Sequence, residues 1–185
     1  EFSELMLRNH KEGLLTISKN NFTRLFTTLG FIPLNFLLDP IQKYLKETYD
    51  VDDITFIDFI KKTGINLYIT ATNINTALRK TFSADDTPYV SVLKAVQASM
   101  TVPILFQPIC IDDEYYIDGV ISCDLPIDIF KSVPKENKLG VILCQTKGEQ
   151  SHIYEKGAKF DLLTYLWRCF YIMLTEGRSR FVKQI

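Results

Sequence analysis

Apolar and polar positions along the chain follow two periods, one close to a helical turn and one close to the two-residue repeat of a strand. Over residues 39–49, Ile41, Tyr44 and Leu45 recur at helical spacing. Asp39 before Pro40 supplies an N-cap followed by a residue suited to the first helical position, so a helix is predicted there. Thr55 with Asp58 three residues later approximates a capping box, and Gly64 offers a left-handed stop, which bounds a second, short helix. Residues 67–70 then read as a strand. Thr87-Pro88 opens a third helix that ends near Met100, because Pro103 cannot continue it. Ile109–Ile111 and residues 115–117 predict a hairpin with an acidic turn at Asp112-Asp113-Glu114, and the apolar run 139–144 has the character of a buried parallel strand. Helices alternating with such strands predict an α/β sheet covered on both faces.

The two ends are harder to read. Residues 2–9 suit the tail of a helix, and 16–38 mix apolar residues with Asn, Thr and Gly in a way that fits two or three short elements. Residues 160–174 form an apolar helical pattern with Leu162, Leu163, Leu166, Trp167, Phe170, Tyr171 and Met173. With Asp161 and Arg168 inside it, that pattern is too short and too charged to span a bilayer. Its expected role is a docked core helix, the alternative being a face turned to lipid or to a protein partner. The basic stretch 178–183 suits a solvated surface, or an anionic membrane surface as the rarer reading.

Composition adds little chemistry but excludes one class. With 46% hydrophobic and 12% aromatic residues the chain has enough apolar material for one core, so a single domain over 1–185 is the natural count. The balance of 21 basic against 22 acidic side chains gives none of the positive footprint that nucleic acid requires. Cys110, Cys123, Cys144 and Cys169 lack metal-ligand spacing and sit among apolar neighbours, so they read as reduced core residues.

The candidate chemistry lies in Tyr116-Ile117-Asp118-Gly119-Val120. A carboxylate on a glycine turn at the end of an apolar, β-rich run is where an α/β protein can mount a general base, because the sheet fixes it while the turn exposes it. Ile117 and Val120 flank Asp118 with apolar surface. Gly119 would permit close backbone approach or positive φ. Asp-Gly alone is a common turn, so the dipeptide carries weight only through its context. No G-x-S-x-G, G-x-C-x-G or glycine-rich anion loop accompanies it in the 185 residues. His10 and His152 do not lie near a cysteine or serine in a recognisable motif, and both read as surface residues. Asp112, Asp113, Glu114 and Asp118 fail the calcium-loop order at Tyr116, so neither a metal nor a cofactor is implied. Ser99 lacks an elbow, and Ser122 and Ser151 have no support as nucleophiles.

The ordered set Ala95, Ala98, Ser99, Pro103, Phe106, Pro108, Tyr116, Asp118, Gly119 and Pro126 resembles the A-x-x-A-S, P-x-x-F-x-P and Tyr-x-Asp-Gly pattern of the patatin-like phospholipases. Upstream, Thr55-Phe56, Lys62-Thr63-Gly64, Leu67 and Ile69-Thr70-Ala71-Thr72-Asn73-Ile74 resemble that family's passage from a helix into an inner strand. The resemblance is clearest over residues 39–143. It implies a three-layer α/β/α patatin-like fold, incomplete at its N-terminus, and a Ser-Asp dyad that hydrolyses lipid acyl esters. Asp118 would be the catalytic aspartate, with Gly119 in its supporting turn. The serine, in a G-x-S-x-G elbow, and the glycine-rich oxyanion loop would lie N-terminal to residue 1. Ser99 takes a packing or hydrogen-bonding role by the same resemblance. Val120 stands where the family prefers Gly or Ala, Asp124 where Asn is usual, and Asn73 where Asp is common; Asn retains most of the turn hydrogen bonds of Asp. The implied partner is a lipid or phospholipid, in the cytoplasm or at a membrane periphery, with no cofactor and no nucleic acid. A competing reading keeps the scaffold without the activity and uses surfaces such as 160–174 for assembly.

Overall fold

The computed structural model describes residues 34–123 without interruption, residues 29–32 and 126–134, and the single positions Thr27, Glu136 and Tyr165. The expectations for 2–9, 139–144, most of 160–174 and 178–183, and those for His10, Asp124, Cys144, Ser151, His152 and Cys169, lie outside the described residues. The chain divides into two compact units, Glu1–Asp124 and Leu125–Ile185. In the second, Ile127–Phe130 forms a short 3-10 turn.

Within the first unit the elements run β1 (Gly30–Ile32), α1 (Asn35–Tyr49), α2 (Phe56–Thr63), β2 (Ile69–Asn73), β3 (Leu78–Phe82), α3 (Val92–Ser99), β4 (Ile104–Phe106), β5 (Ile109–Ile111) and β6 (Glu114–Asp118). A 3-10 turn, Gly119–Ile121, follows β6 directly. The architecture is α/β.

Helix α1 starts one turn before the Asp39-Pro40 signal. Leu34 and Leu38 are buried together with Leu45, so burial of one stripe carries the helix back through a first turn that has no side-chain cap. Pro40 therefore sits inside the helix, where it costs one backbone hydrogen bond. Helix α2 follows its caps. Thr55 Oγ1 accepts from the Asp58 N–H at 3.3 Å, and Gly64 closes the other end at φ 72°. Phe56, 1% exposed, anchors α2 in the core. The third helix begins later than Thr87-Pro88 predicts. Ser91 is held extended by the Thr55·Ser91 bridge, with Phe56 N donating to the Val90 carbonyl and Val92 N to that of Ile54. Ser91 then caps α3, accepting from Lys94 N at 2.9 Å.

Four strands form a sheet in the order β3-β2-β6-β5, antiparallel throughout. Short links set the direction of the β2–β3 and β5–β6 pairs. β5 and β6 are joined by Asp112 and Asp113 alone, both at positive φ (51° and 63°), the geometry of a tight hairpin turn. Glu114, expected in that turn, is the first residue of β6 and pairs with Ile111. Residues 74–77 turn β2 into β3. A parallel pair would need a long crossover instead. β1 and β4 form a separate parallel pair.

One face of the sheet, carrying Ala71, Phe82, Ile111 and Tyr116, packs against Leu45 of α1, Phe56 of α2 and Leu93, Ala95 and Ala98 of α3. Phe82 meets Tyr116 edge to face at 5.2 Å. Ala71, Ala95 and Ala98 are all 0% exposed, and their small side chains let α3 lie close on the sheet's central strands. Cys110 departs from the expectation of a core cysteine: its side chain falls on the alternate positions of β5 and is exposed, whereas Cys123 is half-buried; both are free thiols.

Candidate active site around Asp118

The sheet brings the end of β6 against the middle of β2, with Asp118 in register opposite Ala71 and Ile117 opposite Thr72. Asp118 is half-buried and caps the 3-10 turn that follows it: its Oδ1 accepts from the Val120 N–H at 3.0 Å. Val120 thus supplies an orienting donor to the carboxylate through its backbone, whatever its side chain.

The backbone of Asp118 is fixed from two directions. Its N–H donates to the carbonyl of Thr101 at 2.9 Å, and its carbonyl accepts from Thr72 Oγ1 at 2.8 Å. Thr101 is wholly buried, and its hydroxyl donates to the Gln97 carbonyl at 2.7 Å, so the C-terminal end of α3 becomes part of the Asp118 mount. Ser99, the last residue of α3, lies between Gln97 and Thr101 in the chain and is half-buried.

Gly119 answers the two options open to it. A Cβ there would fall 2.5 Å from the Thr70 carbonyl oxygen, so the residue is required for close approach to β2 and not for positive φ. The turn can lie flat on the strand only because no side chain intervenes.

A polar cluster sits beside this register. Glu114 Oε2 accepts from Asn73 Nδ2 at 3.0 Å and from the Tyr116 hydroxyl at 2.7 Å. Asn73 Oδ1 in turn accepts from the N–H groups of Asn75 and Thr76, closing the β2–β3 turn. Asn73 therefore makes the turn bonds an Asp could make and adds a donor toward Glu114. Burial pushes the Tyr116 phenol up to about 12, and the carboxylate of Glu114 adds to the shift. The Asn73–Glu114 bond ties the end of β2 to the start of β6, at the opposite end of β6 from Asp118.

Two open clefts lie elsewhere. One of about 470 Å³ is lined by Asp53, Thr55, Lys62, Tyr89 and Ser91, and one of about 390 Å³ by Thr87, Tyr89, Lys94 and Asp112; Asp118 lines neither. No group of three or more metal-ligating side chains occurs among the described residues, and none of their helices is long and apolar enough to cross a membrane.

Thr72, Thr101 and Ser122 did not emerge from the sequence as partners of Asp118. They are short polar residues whose roles come from the β2–β6 register and the end of α3, and no spacing rule along the chain links them. The one available signal was Thr72 itself, a hydroxyl on an inner strand that has to find a bond when buried.

Comparison with known proteins places these observations in context. The profile described as patatin-like phospholipase matches residues 2–131, beginning well upstream of residue 39 and ending before 143. A probable lipid hydrolase of Invertebrate iridescent virus 6 is 37% identical over 86 residues, covering 46% of this chain and 30% of the viral protein. An uncharacterized protein of Acanthamoeba polyphaga mimivirus is 25% identical over 130 residues, covering 70% of this chain and 42% of its own length. The chain thus spans less than half the length of each of these relatives. No solved structure gives a significant match.

Proposed function

Because the chain belongs to the patatin-like phospholipase family, we propose that it forms the aspartate-bearing part of a lipid acyl hydrolase, with Asp118 as the general base of a Ser-Asp dyad. The serine is supplied by sequence outside residues 1–185. The observation that carries this reading is the mounting of Asp118, clamped through its backbone by Thr101 and Thr72 and through Oδ1 by Val120 N–H. A base that must take a proton from a hydroxyl without an intervening imidazole depends on such fixed geometry. The viral relative described as a probable lipid hydrolase supports the same substrate class.

In the proposed reaction the Asp118 carboxylate accepts the serine proton as the serine oxygen adds to the ester carbonyl. Collapse of the tetrahedral intermediate breaks the ester C–O bond, and the proton passes from Asp118 to the departing lysolipid alkoxide. A water molecule then gives its proton to Asp118 and adds to the acyl-enzyme. Fatty acid leaves and the serine is reprotonated.

The test is fatty-acid release from phosphatidylcholine vesicles by the full-length protein and its Asp118→Asn variant. The variant is expected to lose about 10²- to 10⁴-fold in kcat, the range typical of a lost general base, with its unfolding midpoint retained. Undiminished turnover would remove Asp118 from the chemistry.

A further inference from the structure

We propose that Thr72 is a positioning residue for this hydrolysis, its single hydroxyl holding both ends of the turn that presents Asp118; the inference rests on the dyad reading above. Thr72 lies on the inner strand β2 and is 6% exposed. Its Oγ1 stands 2.8 Å from the Asp118 carbonyl oxygen, which can only accept, so the hydroxyl proton points there. The oxygen then accepts from Ser122 N–H at 3.2 Å and lies 2.8 Å from Ser122 Oγ, whose proton completes the set. The alternative acceptor for that proton, the Gly119 carbonyl, is farther away at 3.4 Å. One donor and two acceptor positions are thereby filled by the first and last residues of the turn that spans Asp118 to Ser122.

This arrangement separates aim from fold. The pairing of β2 with β6 is made by backbone groups, so replacing Thr72 with its near-isostere Val leaves that pairing in place. The turn, however, loses every bond to the Thr72 hydroxyl and can drift away from the strand. Because a carboxylate must sit within hydrogen-bond reach of the proton it takes, a small drift lowers the chemical step without touching acyl-chain binding.

The experiment compares T72V, T72S and D118N in the full-length protein on phosphatidylcholine vesicles, with thermal unfolding measured in parallel. T72V is expected to lose about 10- to 100-fold in kcat at unchanged KM. T72S, which keeps the hydroxyl, recovers most of that loss. Wild-type kcat in T72V, equal losses in T72V and T72S, or a loss carried by KM would each overturn the positioning role. Should T72V not fold, S122A at the exposed end of the clamp replaces it, with kcat expected to fall several-fold; wild-type kcat there overturns the role as well. The D118N arm keeps the two ideas apart. Loss in D118N with normal turnover in T72V removes the clamp alone, whereas full activity in D118N removes the dyad beneath it.

Discussion

At the scale of single residues, Gly119 and Tyr116 carry the sharpest consequences. A methyl group at 119 would press within 2.5 Å of the Thr70 carbonyl oxygen, backbone that cannot rotate away. Gly119→Ala is therefore expected to cost about 1–3 kcal/mol by overpacking and to displace Asp118. Urea unfolding reads the first effect and turnover the second; a neutral substitution would show that the turn is free to lift. Tyr116 gives a pH signature. Its phenol is pushed up to about 12 in the folded chain against about 10 when unfolded. A raised acid contributes stability that is fully present below about pH 10 and is lost as pH climbs toward 12, because the native state holds its proton longer. Tyr116→Phe should lower stability at pH 8 by about 1 kcal/mol, the worth of one hydrogen bond, and flatten the fall in stability between pH 10 and 12. Equal alkaline slopes for the two proteins would contradict the assignment.

At the scale of elements, legibility followed the strength of the local signal. Helix α2 was readable at both ends because Thr55, Asp58 and Gly64 act through neighbours three or four residues away. Removing the N-cap by Thr55→Ala is expected to cost about 1 kcal/mol, measured as a shift in the denaturant midpoint. The Thr55 hydroxyl also holds the Asp58 carboxyl below its ordinary value, with the nearby lysines acting in the same direction. That contribution is present above the ordinary carboxylate range and disappears as pH falls through the lowered folded value. Helix α1 was misplaced by one turn because Asp39-Pro40 is a strong local start, while the burial of Leu34 and Leu38 that overrides it is a tertiary fact. Strand β3 escaped notice for a similar reason. Arg79, Lys80 and Thr81 form a polar run, and only pairing with Ile69–Asn73 makes it a strand. The β5–β6 hairpin was visible because its two-residue turn forces its own register.

At the scale of the whole molecule, the ordered spacing from Ala95 to Pro126 pointed to a family whose profile matches most of the chain, and the α/β architecture agrees with it. What could not be read was how Asp118 is held. The clamp draws on β2, the end of α3 and the turn after β6, segments separated by up to 50 residues along the chain, so it exists only after folding. The central claim is that Asp118 activates a serine contributed from outside residues 1–185. Its most direct test is to treat the full-length protein and its Asp118→Asn variant with a fluorophosphonate probe and to map the modified peptide by mass spectrometry. The account predicts one modified serine within a G-x-S-x-G sequence, labelled quickly in the wild type and far more slowly in Asp118→Asn. No modified serine, or labelling at the same rate in both proteins, would contradict it.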